Sequence, residues 1–157
     1  MDFRKPNVDD AYLYFKWAND PQVRLNSFNS ENITLDEHTI WFNEKLQDPN
    51  CELYMFYDEN DIPVGQVRIQ KDSNNNSVIN ISIDEKFRGM GYGVKLVELS
   101  SKNYFSREIN DKINAYVKIE NLGSKVIFEK SGFFNLGTLL YQKIKSHHFI
   151  KYANREI

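Results

Sequence analysis

The run Arg88-Gly89-Met90-Gly91-Tyr92-Gly93 constrains the fold of this chain more than any other stretch, because it joins an apolar strand candidate, Val78 to Ile83, to a helix candidate that starts near Gly91. Glycine has no Cβ, so the backbone can pass close to a ligand. The first N–H groups of the following helix lack intrahelical acceptors and point at any anion in front of them. The dipole of that helix adds to the attraction. Two other phosphate loops are excluded by spacing: a dinucleotide fingerprint needs glycine at position 94, where Val94 stands, and no Gly-Lys-Ser/Thr follows for a triphosphate loop.

The rest of the chain frames this junction. At 157 residues, with 41% hydrophobic and 14% aromatic content, it reads as one α/β domain over 1–157 with a sizeable core. A net charge of −2, with lysines and arginines dispersed, gives no footprint for nucleic acid. No apolar stretch approaches the ~20 residues of a membrane span, and Met1-Asp2-Phe3-Arg4-Lys5-Pro6 lacks a secretory apolar region, so a cytoplasmic protein is expected. Cys51 is the single cysteine, expected to pack against a strand, and no Cys/His cluster has metal-ligand spacing.

Periodicity orders the elements. Phe3 and Arg4 suit a short first strand. Asp9 or Asp10 caps a helix with Ala11, Leu13, Tyr14 and Trp17 on its apolar face, broken at Asn19-Asp20-Pro21. Thr34-Leu35-Asp36-Glu37 is a capping box opening a second helix, whose buried stripe is expected to be Ile40, Trp41 and Leu46 until Pro49. Leu53 to Tyr57 and Val64 to Gln70 read as a hairpin turning at Asp58-Glu59-Asn60-Asp61. After the polar turn Ser73 to Ser77, strand Val78 to Ile83 sets Ile79, Ile81 and Ile83 against Asn80 and Ser82. A helix to about Ser106, a parallel strand Ile113 to Val117 and a helix Asn121 to Lys130 stopped by Gly132 follow. Leu136 to Ile144 and His148 to Tyr152 close the order, giving a mixed sheet of six or seven strands and about four helices.

Arg88-x-x-Gly91-x-Gly93, followed some thirty residues on by Ala115 to Glu120, Asn121, Ser124, Phe128 and Gly132-Phe133, resembles the two signatures of the GNAT superfamily of acetyl-coenzyme A-dependent N-acetyltransferases. The resemblance implies a GNAT fold in which the strand before the glycine loop and the parallel strand after it splay apart. Pantetheine would pair with Ile81, Ser82 and Ile83, and the diphosphate would rest on N–H groups of Arg88, Gly89, Met90, Gly91, Tyr92 and Gly93. Arg88 would either touch the phosphate or hold the loop. Asn121 and Ser124 would cap the next helix, meet the cofactor, or do both, and Phe128 would lie beside it.

Phe128 departs from the family pattern, which often has a tyrosine there to protonate the departing thiolate. The acid is then water or another phenol, Tyr116 or Tyr141. Asn80 and Ser82 would line a water path for the amine's proton, with His38 and Glu120 as bases. The acceptor would be a small-molecule amine. Trp17 to Phe28 with Ile33, His38 and Trp41-Phe42 resembles the subgroup that acetylates the 4-amino group of nucleotide-linked deoxy-amino sugars in pseudaminic acid synthesis. That implies Arg24 on a nucleotide phosphate, Trp41 or Phe28 stacked on a ring, and Asn26, Ser27 and His38 on sugar hydroxyls. Trp41 and Phe42 equally suit the core of their helix. The alternatives are acetylation of a protein N-terminus, whose subgroup shares the Trp-x-Asn-Asp-Pro opening, and a non-catalytic coenzyme A-binding module. A homodimer through sheet edges is also expected from the family.

Overall fold

The computed structural model describes residues 1–109 and 111–153. Its strands are β1 (Asp2–Arg4), β2 (Cys51–Tyr57), β3 (Pro63–Lys71), β4 (Ser77–Ile83), β5 (Lys112–Lys118), β6 (Phe134–Tyr141) and β7 (Ile144–Tyr152). They form one sheet in the order β1-β2-β3-β4-β5-β7-β6, antiparallel everywhere except at β4 and β5. The helices are α1 (Ala11–Ala18), α2 (Pro21–Asn26), α3 (Leu35–Gln47), α4 (Tyr92–Arg107) and α5 (Leu122–Lys130). This is the expected mixed α/β fold of the GNAT type, with one more helix than the periodicity suggested. None of the described helices is long and apolar enough to cross a membrane.

The additional helix is α2. Asn19-Asp20-Pro21 ends α1, and it also starts a helix. The Asp20 carboxylate accepts from the Gln22 and Val23 amides at 3.0 and 3.2 Å, and Pro21 occupies the first turn, where its missing N–H costs nothing. In α3, Thr34 accepts from the Glu37 amide at 3.2 Å as expected of the cap. The buried stripe differs from expectation: His38 and Phe42 face inward, Trp41 and Leu46 are half-buried, and Ile40 is 62% exposed. Ranking positions by apolarity alone had hidden an inward histidine one turn before Phe42. The last hairpin also turns earlier than expected, at Gln142 and Lys143, both in the left-handed region, so that β7 begins at Ile144. Neither residue carries the usual glycine signal for such a turn.

Two cores lie on opposite faces of the sheet. On one, Val67, Ile69, Ile79, Ile113, Ala115 and Val117 pack with Leu96 and Val97 of α4 and Phe128 of α5. On the other, Tyr14, Trp17 and Phe42 pack with Cys51, Leu53 and Met55 of β2. Alternation in the strands is what permits this division.

The parallel pair determines the site. Ser77 pairs with Ile113 and Val78 with Asn114, and there the pairing of β4 with β5 stops. Below the divergence the strands are fastened by a polar knot: the Tyr104 hydroxyl donates to Asp111 Oδ2 at 2.5 Å, and the single proton of Ser77 Oγ is shared between the Tyr104 oxygen at 2.6 Å and the same carboxylate oxygen at 3.0 Å. Above it, β3 is the one strand that pairs with β4, through full antiparallel register from Gly65–Ile83 to Lys71–Ser77.

Gly65 is where that support is closest. A Cβ there would stand 2.5 Å from the Ser82 carbonyl oxygen and 3.2 Å from Leu96 Cδ2. Gly65→Ala is expected to push β4 away from β3 and destabilise the fold by about 1–3 kcal/mol, the usual cost of overpacking. A melting temperature equal to that of the wild type would show that β4 shifts freely.

Candidate active site

The glycine loop begins where β4 ends. Asp84 caps a single 3-10 turn, Glu85–Phe87, and Arg88 leaves it extended. Gly89 and Gly91 then adopt φ of +76° and +80°, with open space where a Cβ would be, so the turn needs glycine for its backbone. Gly93 differs in kind. It is buried, and a Cβ there would collide with the Ile127 side chain of α5, so this glycine lets α4 and α5 pack closely. From Gly89 to Gly93 no N–H donates to a loop, turn or side-chain acceptor among the described residues, and Gly91 caps α4 without a side-chain bond. That leaves a row of N–H donors at the head of a sixteen-residue helix.

Arg88 is committed to the protein. Its Nη2 donates to Asp20 Oδ1 at 2.8 Å and its Nη1 to Gln22 Oε1 at 3.2 Å. Of the two roles the sequence left open, holding the loop is the one its contacts describe. A parallel tie runs from Trp17 Nε1 to Asp84 Oδ2 at 2.9 Å. The short segment between β4 and α4 is therefore anchored to the N-terminal helices at its first residue, Asp84, and at Arg88. Asn121 caps α5 by accepting from the Ser124 amide at 3.2 Å, and its side-chain N–H groups remain without a partner among the described residues. Phe128 is buried against Phe133 and Phe149 with ring centroids 5.1 and 5.9 Å away, making it part of the core under the site rather than its wall.

Across the sheet lies a second face. Register places Gln66, Arg68 and Gln70 of β3, Val78, Asn80 and Ser82 of β4, Asn114, Tyr116 and Lys118 of β5, and Ser146, His148 and Ile150 of β7 on it. None of these is acidic. Asn80 is exposed, and Ser82 accepts from Gln66 Nε2 at 2.8 Å. Tyr116 stacks between Tyr141 at 3.9 Å and His148 at 4.6 Å, and Phe28 meets Tyr141 edge-on at 4.8 Å. Burial, then the Tyr141 and Asp72 charges, pushes the Tyr116 phenol upward, so it keeps its proton at neutral pH. Glu120 is exposed in the turn after β5.

His148 was not anticipated as a site residue. Asn114 spends its amide N–H on the Ser77 carbonyl at 3.2 Å, so its Oδ1 accepts from His148 Nε2 at 2.8 Å and leaves Nδ1 as the basic nitrogen. Burial holds this imidazole below its ordinary value, hence neutral. Only its alternation with Ser146 and Ile150 in β7 signalled the orientation.

Three acceptor residues expected from sequence sit differently. Arg24 is a staple: Nε donates to the Ala18 carbonyl at 2.6 Å, Nη1 to those of Asn29 and Glu31 at 2.9 and 3.1 Å, and Nη2 to Ser27 Oγ at 3.3 Å. Its donors are consumed by the α2–α3 loop and do not reach out to a phosphate. Ser27 is locked with it, donating to the Val23 carbonyl at 2.6 Å. His38 is buried among Phe15, Trp41 and Phe42, with Nδ1 unpartnered, and burial followed by the Arg24 charge lowers its proton affinity. Phe28 and Trp41 do flank the second face, Trp41 against Arg68; Asn26 is half-buried at the end of α2.

The tie between loop and N-terminus has a pH signature. Burial alone would raise the Asp20 carboxyl, but hydrogen bonds from Arg88, Val23 and Gln22 outweigh it and hold the group below its ordinary value. A depressed carboxylate contributes stability that is complete above its unfolded value of about 3.9 and is lost as pH falls through the folded one. Thermal melts of Asp20→Asn are expected to lie below the wild type at pH 7 and converge with it below about pH 4. A gap that persists undiminished in acid would assign the loss to shape instead of charge.

The chain matches, over residues 1–134, the family profile of the acetyltransferase (GNAT) domain. No curated protein sequence matches it. Among solved structures, a point mutant of the spermidine N-acetyltransferase SpeG from Vibrio cholerae superposes with a TM-score of 0.81 at 17% identity, covering 98% of this chain and 95% of that one. The aminoglycoside acetyltransferase AAC(6')-Ib with ribostamycin and coenzyme A superposes at 0.82 and 18% identity, covering 96% and 92%. With the splayed strands, the glycine loop and a profile spanning most of its length, this chain belongs to the GNAT family of acetyltransferases.

Proposed function

We propose that this acetyltransferase, with acetyl-coenzyme A as its donor, acetylates the primary amine of a small molecule, most specifically the 4-amino group of a nucleotide-linked deoxy-amino sugar, in the cytoplasm. The observation that carries acetyl transfer is the end of β4–β5 pairing after Val78 and Asn114, next to a loop whose N–H groups are unclaimed. Pantetheine runs along the edge of β4 from Ile81 to Ile83, the diphosphate rests on the loop from Gly89 to Gly93, and the free amide of Asn121 with Ser124 faces the arm of the cofactor.

The acceptor amine approaches from the second face and attacks the thioester carbon. A C–N bond forms, the C–S bond breaks, and an N–H of the strand edge near Ile83 steadies the carbonyl oxygen. The amine's proton passes through water along Asn80 and Ser82 toward His148 Nδ1, and the Tyr116 phenol protonates the departing thiolate. Phe128 lies in the core and takes no part. Aromatic walls of Phe28, Tyr141 and Trp41 suit the planar base and the sugar ring of a nucleotide sugar. A face without carboxylates on its strands suits polycations such as spermidine poorly.

A second copy pairs along β6. That strand is the open edge of the sheet and exposes Leu136, Leu139 and Leu140. Sedimentation at micromolar concentration is expected to show a dimer; a monomer removes this part of the reading.

Mass spectrometry after incubation with labelled acetyl-coenzyme A is expected to find label on a UDP-linked 4-amino sugar and not on spermidine, kanamycin or an N-terminal peptide panel. Label on peptides alone would overturn the choice of acceptor. Tyr116→Phe preserves the ring stack and removes the proton, so kcat is expected to fall by about 10²-fold with the KM for acetyl-coenzyme A unchanged. Equal kcat would assign the acid to water.

A further inference from the structure

Among the described residues, Arg4, Arg24, Arg88 and Arg107 each spend their guanidinium on carboxylates, carbonyls or other side-chain oxygens. Arg68 does not. With the described residues it makes no hydrogen bond and no ion pair, its Nε is sealed from solvent without a partner, and the Trp41 indole stacks on it, 5.0 Å from the ring centroid. Burial lowers its proton affinity, and the Tyr141 phenol lies near enough for its charge to act on it. A stacked indole offsets only part of what a cation loses on leaving water, since it accepts none of the five N–H donors.

The position gives this cost a purpose. Arg68 is in the middle of β3, directly opposite Asn80 of β4, whose amide is also without a partner and is exposed. The pair lies on the second face, away from α4 and from the loop that serves the diphosphate. Trp41 lies against the guanidinium, and Tyr141, whose charge reaches it, contacts Tyr116 and Phe28. On β3, β4, β5 and β7 this face carries no carboxylate. Asp72, whose charge reaches Tyr116, is held in the β3–β4 turn by the Asn74 and Asn76 amides at 2.9 and 3.0 Å.

We propose that Arg68 anchors an anionic group of the acceptor, a phosphate or carboxylate, docked between the Trp41 ring and the Asn80 amide. The inference rests on the reading of this face as the acceptor side. A guanidinium presents a planar fork that matches either anion with two parallel hydrogen bonds, and Asn80 adds a third donor. The same charge repels polyamines and aminoglycosides, so Arg68 also discriminates against polycations that fit the fold. The anion end sits at Arg68 while the amine extends along β4 toward Ser82, in the part of the strand that no longer pairs with β5.

Calorimetry on the full chain saturated with coenzyme A tests this with UDP-N-acetylglucosamine, UDP, inorganic phosphate and glutamate as probes, in the wild type, Arg68→Gln, Arg68→Lys and Arg68→Met. At least one probe is expected to bind the wild type, to weaken at least about tenfold in Arg68→Gln and to weaken less in Arg68→Lys, with coenzyme A binding unchanged. Dependence on Arg68 for the uridine probes assigns a diphosphate; dependence for glutamate alone assigns a carboxylate. Because the guanidinium has no partner, Arg68→Met is expected to raise the melting temperature of the ligand-free protein by roughly 2–4 °C while abolishing probe binding. A lower melting temperature would mean that Arg68 serves only to hold Trp41, and would overturn the proposal. So would equal binding of every probe by wild type and Arg68→Gln, or no binding at all by a wild type that holds coenzyme A. Should UDP-amino sugars fail as substrates while an anion still binds through Arg68, the nucleotide-sugar reading falls and this one stands.

Discussion

Everything at this site follows from a parallel pairing that lasts only two residues. Beyond Val78 and Asn114 the backbone groups on the facing edges of β4 and β5 have no partners in each other. Unpaired strand groups away from water cost free energy comparable to a lost hydrogen bond, so a fold keeps such a gap only where something else fills it. An extended amide-bearing chain such as pantetheine fills it as a strand would. The gap is stable without the ligand because its two sides are held from behind: β4 by seven register pairs to β3, and β5 by seven to β7. The Ser77–Tyr104–Asp111 knot closes its lower end. The opening is thus built into the sheet rather than produced by a moving lid.

A second constraint couples donor and acceptor sides. The loop that ends β4 is tied to the N-terminal helices at two points, Trp17 to Asp84 and Asp20 to Arg88. Asp20 is shared, since the carboxylate that receives Arg88 also caps α2. α2 in turn carries Arg24, whose guanidinium gathers the carbonyls of the α2–α3 loop and so delivers Phe28 to the Tyr141 ring. An arginine that reads in sequence as a ligand for phosphate acts here one step back, by shaping the aromatic wall of the second face.

What was legible beforehand divides along physical lines. Local rules announced the glycine loop, the helix starts at Thr34 and Asn121 and the alternation of β3 and β4, because backbone geometry and short-range caps do not depend on the rest of the fold. α2 was missed because Asp-Pro serves to stop one helix and to start another with the same chemistry. Arg24, Ser27 and His38 sit differently from expectation for another reason. Whether Arg24, His38 or Arg68 is free depends on carbonyls and rings brought in by other elements, and one-dimensional spacing carries no trace of those. Arg68 lies inside the hairpin strand read over Val64 to Gln70, and its isolation became visible only once every other described arginine had a partner.

Phe128 shows how the same logic applies to catalysis. Its ring is 3% exposed and wedged between Phe133 and Phe149, so a hydroxyl added there would need a partner or an opening to the cleft. The chain places phenols on the other side of the splay. Tyr116 is clamped flat between Tyr141 and His148, which fixes its ring and leaves only the hydroxyl to turn. A proton donor needs a pKa above the working pH and a fixed direction more than it needs a particular strand. On the proposed mechanism the Tyr116 phenol keeps its proton at neutral pH and stacking fixes its direction, so the acid role that Phe128 does not fill is assigned to the far side of the gap.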